Sequence, residues 1–314
     1  MKKAFIINPK SGRPIKTGHM IRRIEDLKKS RRDVDLFLTQ APMDAAVISR
    51  ALADEAERSC EKVRIFACGG DGTLNEVVNG AALREGVEIG TVPVGSGNDF
   101  ARNFEGCDFM DLDTQLEAET RAVDLIRCDY KVGGKHRYRY GINGINIGFD
   151  GNSAILSHKL RQKPLIGGTS SYMLAVMINL IYNTGCELKI SSGGKVLHDG
   201  KLFLCTVSSG RFCGGGVESC PKAEPDNGLA EVLIIKNVSR RKFVSRFPSY
   251  MNGRILDSAD FDEFGKYMRS AELTIEPREE SMQFVMDGET VRTGSVKIKI
   301  IKRVMQFVVP EAGK

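Results

Sequence analysis

Cys68-Gly69-Gly70-Asp71-Gly72-Thr73-Leu74-Asn75-Glu76 follows a short apolar run, Val63 to Ala67, and leads into a strong helical pattern. Thr73 and Glu76 have the T-x-x-E spacing of a capping box. Leu74, Val77, Val78, Ala81 and Ala82 then repeat at helical spacing and predict one buried face. The local reading is strand, glycine turn, helix. In that arrangement bare backbone amides and the positive helix end can face an anion.

Working outward, the same rhythm recurs over the first 120 residues. Ala4 to Ile7 ends at Asn8-Pro9-Lys10-Ser11-Gly12-Arg13, and a basic amphipathic helix follows with Met20, Ile24 and Leu27 inward. Val34 to Leu38 ends at Thr39, and Val47, Ile48, Ala51 and Leu52 mark the next helix. Ile89 to Val92 ends at Pro93-Val94-Gly95-Ser96-Gly97-Asn98-Asp99, before a short helix over Phe100 to Phe104. Strands that alternate with helices predict a parallel sheet with ligand groups at the carboxyl ends of the strands.

From about Ala122 the chain becomes strand-rich. Runs are expected at Val123 to Cys128, Arg137 to Ile147, Glu187 to Ile190, Lys201 to Ser208, Leu229 to Ile235, Ala271 to Ile275, Met282 to Met286 and Ser295 to Ile301. Turn signals separate them, which suggests an antiparallel sandwich. Helical inserts are expected at Ser153 to Tyr182 and Arg240 to Met251. The fold class is therefore an α/β N-terminal nucleotide-binding domain with a parallel sheet, 1–121, plus a β-sandwich second domain with helical inserts, 122–301. The last run, Gln306 to Val309, could return to the first domain, so that 302–314 rejoins it.

Composition bounds the function. With 314 residues, the chain is long enough for two domains. Its charge of +6 is mild and does not point to nucleic acid. Bases cluster instead: nine between Lys10 and Arg32 against Glu25 and Asp26, and five between Lys236 and Arg246 against none. Such runs suit an anionic substrate or membrane surface. Eight cysteines without a C-x-x-C pair and four isolated histidines give no zinc pattern and fit a reducing cytoplasm. The N-terminus has too short an apolar core for a signal peptide, and Tyr172 to Tyr182 is about half a membrane span. No transmembrane segment is expected; contact with a membrane would be from its surface.

Three polar loops would converge on one sheet edge: Asn8 to Gly12, Gly69 to Thr73 and Gly95 to Asp99. They offer amides, hydroxyls and two carboxylates, a set that suits a nucleotide, with Asp71 or Asp99 for magnesium or ribose. G-x-x-x-x-G-K-[ST] is absent, and Gly70-Asp71-Gly72 lacks the third glycine of G-x-G-x-x-G.

Gly69 to Gly80, followed by Pro93 to Arg102, closely resembles the diacylglycerol kinase catalytic domain that bacterial soluble lipid kinases share with sphingosine and ceramide kinases. Ile7 to Gly12, Gly148-Phe149-Asp150, Gly214-Gly215-Gly216, Cys220 to Ala223 and Met286-Asp287-Gly288-Glu289 agree in order along the whole chain. The resemblance implies ATP and magnesium as cofactors, and an active site in the cleft between two domains. It implies that Gly69, Gly70, Asp71, Gly72 and Thr73 bind ATP with help from Asn8, Ser11, Thr39, Gly97 and Asn98, and that Asp287 is the general base. Some members hold a structural magnesium at an Asp-Asp-Gly turn. Asp226 is the corresponding candidate, but Asp226-Asn227-Gly228 replaces one carboxylate by an amide, a weaker ligand, and an Asx turn is expected instead.

The expected activity is transfer of the ATP γ-phosphate to the hydroxyl of diacylglycerol or a related lipid alcohol. The expected location is cytoplasmic, peripheral at the inner membrane face. A homodimer is compatible with the resemblance. One alternative is an NAD kinase-like enzyme, since those share the G-G-D-G-T loop; here Asn75-Glu76 sits directly against that loop rather than as a separate downstream pair. The other is a non-catalytic nucleotide- or lipid-binding protein. Stripes such as Met173, Leu174, Val176, Met177, Leu180 and Ile181 read as core or as part of an acyl channel, with Lys159, Arg161 and Lys163 as headgroup contacts.

Overall fold

A computed structural model describes residues 1–149, 152–153, 156, 175, 178–179 and 185–311. The chain divides into two compact units, Met1–Asp124 with the residues from Arg303 onward, and Leu125–Lys302.

In the first unit β1 (Lys2–Ile7), β2 (Val34–Leu38), β3 (Val63–Gly69) and β4 (Val87–Pro93) alternate with α1 (Pro14–Ser30), α2 (Asp44–Ser59) and α3 (Asp71–Ala81). The strands lie in the order β2–β1–β3–β4, all parallel. The direction of chain travel reverses between β1 and β3, which is where such sheets bind ligands. Met20 and Ile24 of α1 are buried and pack with Phe5, Ile7 and Phe66; the Phe5 and Phe66 rings stack 4.6 Å apart. Phe100 and Phe104 pack on Phe307, so the segment after β4 is held by aromatic contacts rather than by helical repetition. Only Ala101–Asn103 there is helical, as one 3₁₀ turn, in place of the expected helix from Phe100 to Phe104.

The second unit is antiparallel. β5 (Thr120–Val132), β6 (Lys135–Gly141), β7 (Gly144–Gly148), β8 (Cys186–Ser192) and β9 (Lys195–Ser208) are followed by β10 (Ala230–Lys236), β11 (Gly265–Ser270) and β12 (Glu272–Pro277). β13 (Met282–Met286), β14 (Glu289–Thr293) and β15 (Val296–Val308) close the series. β9 changes partners near Leu202: before it lies β8, after it β7 and β10. That switch makes a sandwich corner. Among the described residues two apolar clusters lie in the unit, one around Ile147, Val207 and Phe284, the other around Phe149, Phe203 and Phe243.

The strands depart from the sequence pattern at three places. Arg137 to Ile147 is two strands, broken at Ile142 and Asn143. The runs expected at Ser295 to Ile301 and Gln306 to Val309 form one strand, β15, over Val296–Val308. Its start pairs with β12, while Gln306 and Phe307 pair in parallel with β4. β11 and β14 were not expected. The insert from Ser153 to Tyr182, including Met173, Leu174, Val176, Met177, Leu180, Ile181, Lys159, Arg161 and Lys163, falls almost wholly outside the described residues, as does Asp150. Among the described residues no helix is long and apolar enough to cross a membrane.

Arg64 on β3 ties the first unit together. Its buried guanidinium donates to Glu88 Oε2 on β4 at 2.7 Å and to the carbonyls of Gln115, Leu116 and Ala118 at 2.8–3.0 Å. These carbonyls lie at the end of α4 (Leu112–Glu117), where intrahelical donors run out. Beside it, at the same end of the sheet, the Arg31 guanidinium and the Lys3 ammonium hold the Asp33 carboxyl down at about 2.

Arg64→Met strands Glu88 and three carbonyls. It is expected to destabilise the protein by about 3 kcal/mol or more, read as a fall in Tm on the order of 10 °C. Asp33 stabilises the fold as an anion. That contribution is complete above its ordinary value near ~3.9 and is lost as pH falls towards 2. Asp33→Asn is therefore expected to lower stability at pH 7 and to flatten the loss of stability between about pH 4 and pH 2 in an acid denaturation series.

Candidate functional site

Hydrogen bonding continues past the strand ends and fixes the loops there. The Asn8 amide donates to the Cys68 carbonyl at 3.1 Å, Gly95 N to Gly69 O at 2.9 Å, and Thr39 N to Ile7 O at 2.9 Å. Because β2, β1, β3 and β4 are parallel neighbours, Thr39, Asn8 to Ser11, Gly69 to Thr73 and Gly95 to Asp99 reach one sheet edge. A Cβ on Gly95 would collide with the backbone of Gly70 and lie 2.9 Å from Asn98 Oδ1. Only glycine lets the β3 and β4 loops touch there.

Asp71 is the first residue of α3, and its Oδ1 accepts the amides of Asp99 at 2.7 Å and Phe100 at 3.4 Å. A Cβ on Gly97 would stand 2.6 Å from Asp71 Oδ2 and 3.5 Å from Asp99 Oδ2, so both oxygens flank the bare backbone of Gly97. Asp99 is 6% exposed, with Arg102 Nε 3.8 Å away. Asn98 adopts φ +58°. Its Nδ2 donates to the Pro93 and Gly95 carbonyls, which fixes the amide orientation and leaves Oδ1 buried without a partner among the described residues. An acceptor held this way is suited to a donor on a ligand. Ser11 Oγ faces Gly70, Asn8 Oδ1 accepts from Lys10 N, and Thr73 is buried over Gly69.

The capping box does not form. α3 begins three residues earlier than its spacing implied, with Gly70 as N-cap and no side-chain cap. Glu76 reaches the neighbouring helix instead and accepts from Ala45 N, in the first turn of α2, at 3.2 Å. The N-cap of α2, Met43, has no capping side chain, so the missing acceptor is supplied from α3.

In the second unit Asp287-Gly288 forms the two-residue turn between β13 and β14, with φ +47° and +89°. Positive φ at both positions gives a type I′ turn, the usual Asp-Gly hairpin. The side chain does more than turn the chain. Asp287 is 7% exposed; Oδ2 accepts from Ile142 N at 2.7 Å, and Oδ1 from Asn143 N at 3.1 Å and Gly144 N at 2.9 Å. These amides come from the interruption between β6 and β7, which explains why the expected single strand breaks. Asn143 is pinned in turn, its Nδ2 donating to Phe212 O and its carbonyl accepting from Ser208 Oγ. Sequence reading missed this cradle; Gly141 and Gly144 around Ile142-Asn143 were its only signal.

Asp226 lies in the turn before β10. Asn227 Oδ1 accepts from Leu229 N at 2.9 Å, an Asx turn, and the Lys302 side chain packs over Gly228. Among the described residues no three His, Cys, Asp or Glu side chains gather as a metal cluster. Magnesium in kinases needs one or two carboxylates, the rest being phosphate and water, so Asp71 and Asp99 fit it better than Asp226. Burial pushes the thiols of Cys68, Cys128 and Cys205 up, which removes them as nucleophiles at neutral pH.

A parallel sheet with a glycine-rich anion edge, followed by a sandwich with a cradled carboxylate, has known counterparts. Residues 2–128 match the diacylglycerol kinase catalytic domain, and residues 144–309 the YegS C-terminal NAD kinase beta sandwich-like domain. The diacylglycerol kinase of Bacillus subtilis (strain 168) is 29% identical over 296 residues, covering 92% of this chain and 90% of that protein. A diacylglycerol kinase structure from Bacillus anthracis str. Sterne superposes with a TM-score of 0.71 at 18% identity, over 99% of this chain and 97% of that one. Yeast NADH kinase complexed with NADH has the same fold, with a TM-score of 0.55 at 12% identity over 99% and 84% of the two chains. The chain belongs to the diacylglycerol kinase family and is a lipid kinase. Membership in that family implies the use of ATP.

Glu76→Ala is expected to cost about 1 kcal/mol, the value of one lost helix cap, and Glu76→Gln much less. ATP affinity, read by calorimetry, is expected to stay unchanged in both.

Proposed function

We propose that the protein transfers the γ-phosphate of ATP to the hydroxyl of diacylglycerol or a related lipid alcohol, with magnesium, at the cytoplasmic face of a membrane. The observation that carries this reading is the Asp287 carboxylate, sequestered from solvent and aimed by three backbone amides. A turn residue with no further task would leave that side chain in water. The name of the Bacillus subtilis relative supports diacylglycerol as the acceptor.

Gly70, Gly72 and Thr73 at the start of α3 offer amides to the phosphates, where the helix end favours negative charge. Asn8, Ser11, Thr39, Gly69 and Gly97 line the same edge, and Asn98 Oδ1 accepts from a donor on the nucleotide. Asp71 and Asp99 are the residues that would hold magnesium, which spreads the charge of the transferring phosphoryl group. Asp71 has a second task, because its Oδ1 binds the Asp99 and Phe100 amides and so fixes one loop against the other. Asp287 accepts the proton of the acceptor hydroxyl as the new O–P bond forms and the bond to ADP breaks. Its amide cradle keeps the carboxylate oriented, so that little reorganisation accompanies the transfer.

Asp287→Asn is expected to lower kcat by at least ~100-fold, the range for a lost general base. It is expected to lower the Tm as well, since Asn has one acceptor oxygen for the amides that Asp287 holds with two, while circular dichroism shows the fold retained. Near-normal turnover by the folded variant would remove Asp287 from the role. Asp71→Asn is expected to raise the KM for ATP and its magnesium requirement. Diacylglycerol and NAD offered side by side with labelled ATP test the acceptor; label on NAD alone would overturn the lipid assignment.

A further inference from the structure

We propose that the β5–β6 hairpin is a docking surface for an anionic lipid bilayer. The bases of α1 are partly neutralised in place: Lys28 pairs with Asp35, Lys29 with Asp26, and Arg23 with Asp111 and Asp113. In the Lys236 to Arg246 run, Lys242 and Arg246 pair with Asp260. The hairpin differs. Asp129 of β5, across from Tyr138, is paired with Arg127, and from Lys131 to Phe149 the chain carries four Lys or Arg and no acid. Arg139 comes within 3.9 Å of Glu289, but Lys131, Lys135 and Arg137 pair with no acid among the described residues.

Its shape fits an interface. Val132 faces Lys135 across a Gly133-Gly134 turn with φ +56° and +76°, and a Cβ on either glycine would meet nothing within 4 Å. The tip stands in the open. Every residue from Lys131 to Tyr138 is exposed, with Val132 at 49% and Tyr138 at 61%. Strand alternation places Lys135, Arg137 and Arg139 on one face and His136, Tyr138 and Tyr140 on the other. The Tyr138 ring meets Tyr140 edge-on at 5.7 Å and lies under the Arg127 guanidinium at 5.0 Å, so the aromatic face is ordered before any partner arrives. Tyrosines settle at the headgroup level of a bilayer, and nearby bases add attraction to anionic lipid. β6 pairs only with β5, leaving its outer edge bare among the described residues. Pairing of that edge with the same edge of a second copy would set bases against bases.

The choice of a bilayer over another polyanion rests on the lipid-kinase reading. The same β6 strand runs into Ile142 to Gly144, whose amides hold Asp287, so the surface is joined through the backbone to the proposed base.

The test is co-sedimentation with vesicles of phosphatidylglycerol and phosphatidylcholine, compared with phosphatidylcholine alone. Lys135→Ala/Arg137→Ala is expected to weaken binding to anionic vesicles about 30-fold at low salt, roughly fivefold for each base. Tyr138→Ser is expected to weaken it several-fold, and wild-type binding to fall as salt rises. Turnover of a short-chain, water-soluble diacylglycerol should be unchanged in all variants. Absence of that turnover in the wild type would count against the proposed acceptor and leave the binding result standing. Vesicle binding by the double variant within twofold of wild type would overturn the proposal. So would tighter binding to an oligonucleotide than to vesicles, lost in the same variant, or a wild-type dimer that the variant converts to monomer.

Discussion

The Asp71 carboxylate accepts the amide hydrogens of Asp99 and Phe100, and through them the loop after β4 is fixed to the loop after β3. The same device recurs at several breaks in regular structure. Asp287 satisfies three amides at the break between β6 and β7. Asp124, fully buried, accepts from the amide of Arg303, which sits at φ +51°. Glu76 serves an open amide of α2, and Asp44 takes the amides of Gln40 and Ala41. A buried amide without a partner costs about 1–3 kcal/mol, so each interruption is tolerable only because an acid side chain is there to meet it.

This gives the acids of the proposed site a double character. Asp71 and Asp287 are placed by bonds that hold the backbone, and the same bonds aim their oxygens. Substituting either one changes chemistry and scaffold together. Glu76 separates the two, because its bond lies on the α2 side and touches no part of the proposed phosphate edge. It sits within the most suggestive stretch of the sequence, yet its task is packing one helix against another.

The parallel half was legible because its signals are local. Ala4 to Ile7 is apolar, Val34 to Leu38 and Val63 to Ala67 are apolar but for Asp35 and Arg64, and each ends at a polar loop that the ladder then aligns. Leu74, Val77, Val78, Ala81 and Ala82 are all buried as their spacing implied. What failed depended on distant partners. The T-x-x-E pattern at Thr73 was genuine as spacing, but the helix already begins at Asp71 after the extended Gly70, and Glu76 found Ala45. The break at Ile142 needs a carboxylate 145 residues away. β11 has only Tyr267 and Met268 as large apolar side chains and β14 only Val291, so neither reads as an apolar run. The resemblance to lipid kinases indicated Asp287, whereas nothing in the bare sequence distinguishes it from an ordinary Asp-Gly turn.

β15 has a consequence for how the protein is made. Gln306 and Phe307 complete the edge of the parallel sheet beside β4, while Val296 to Lys299 belong to the antiparallel unit. A ribosome emitting this chain therefore finishes the whole of Leu125–Lys302 before the first sheet receives its last strand. Until then β4 is an open edge flanked by the apolar ring surfaces that Phe307 later covers. Such an edge invites pairing with other chains. The nucleotide-binding half is begun first and completed last, and the nascent protein passes through its most adhesive state with that half still unfinished.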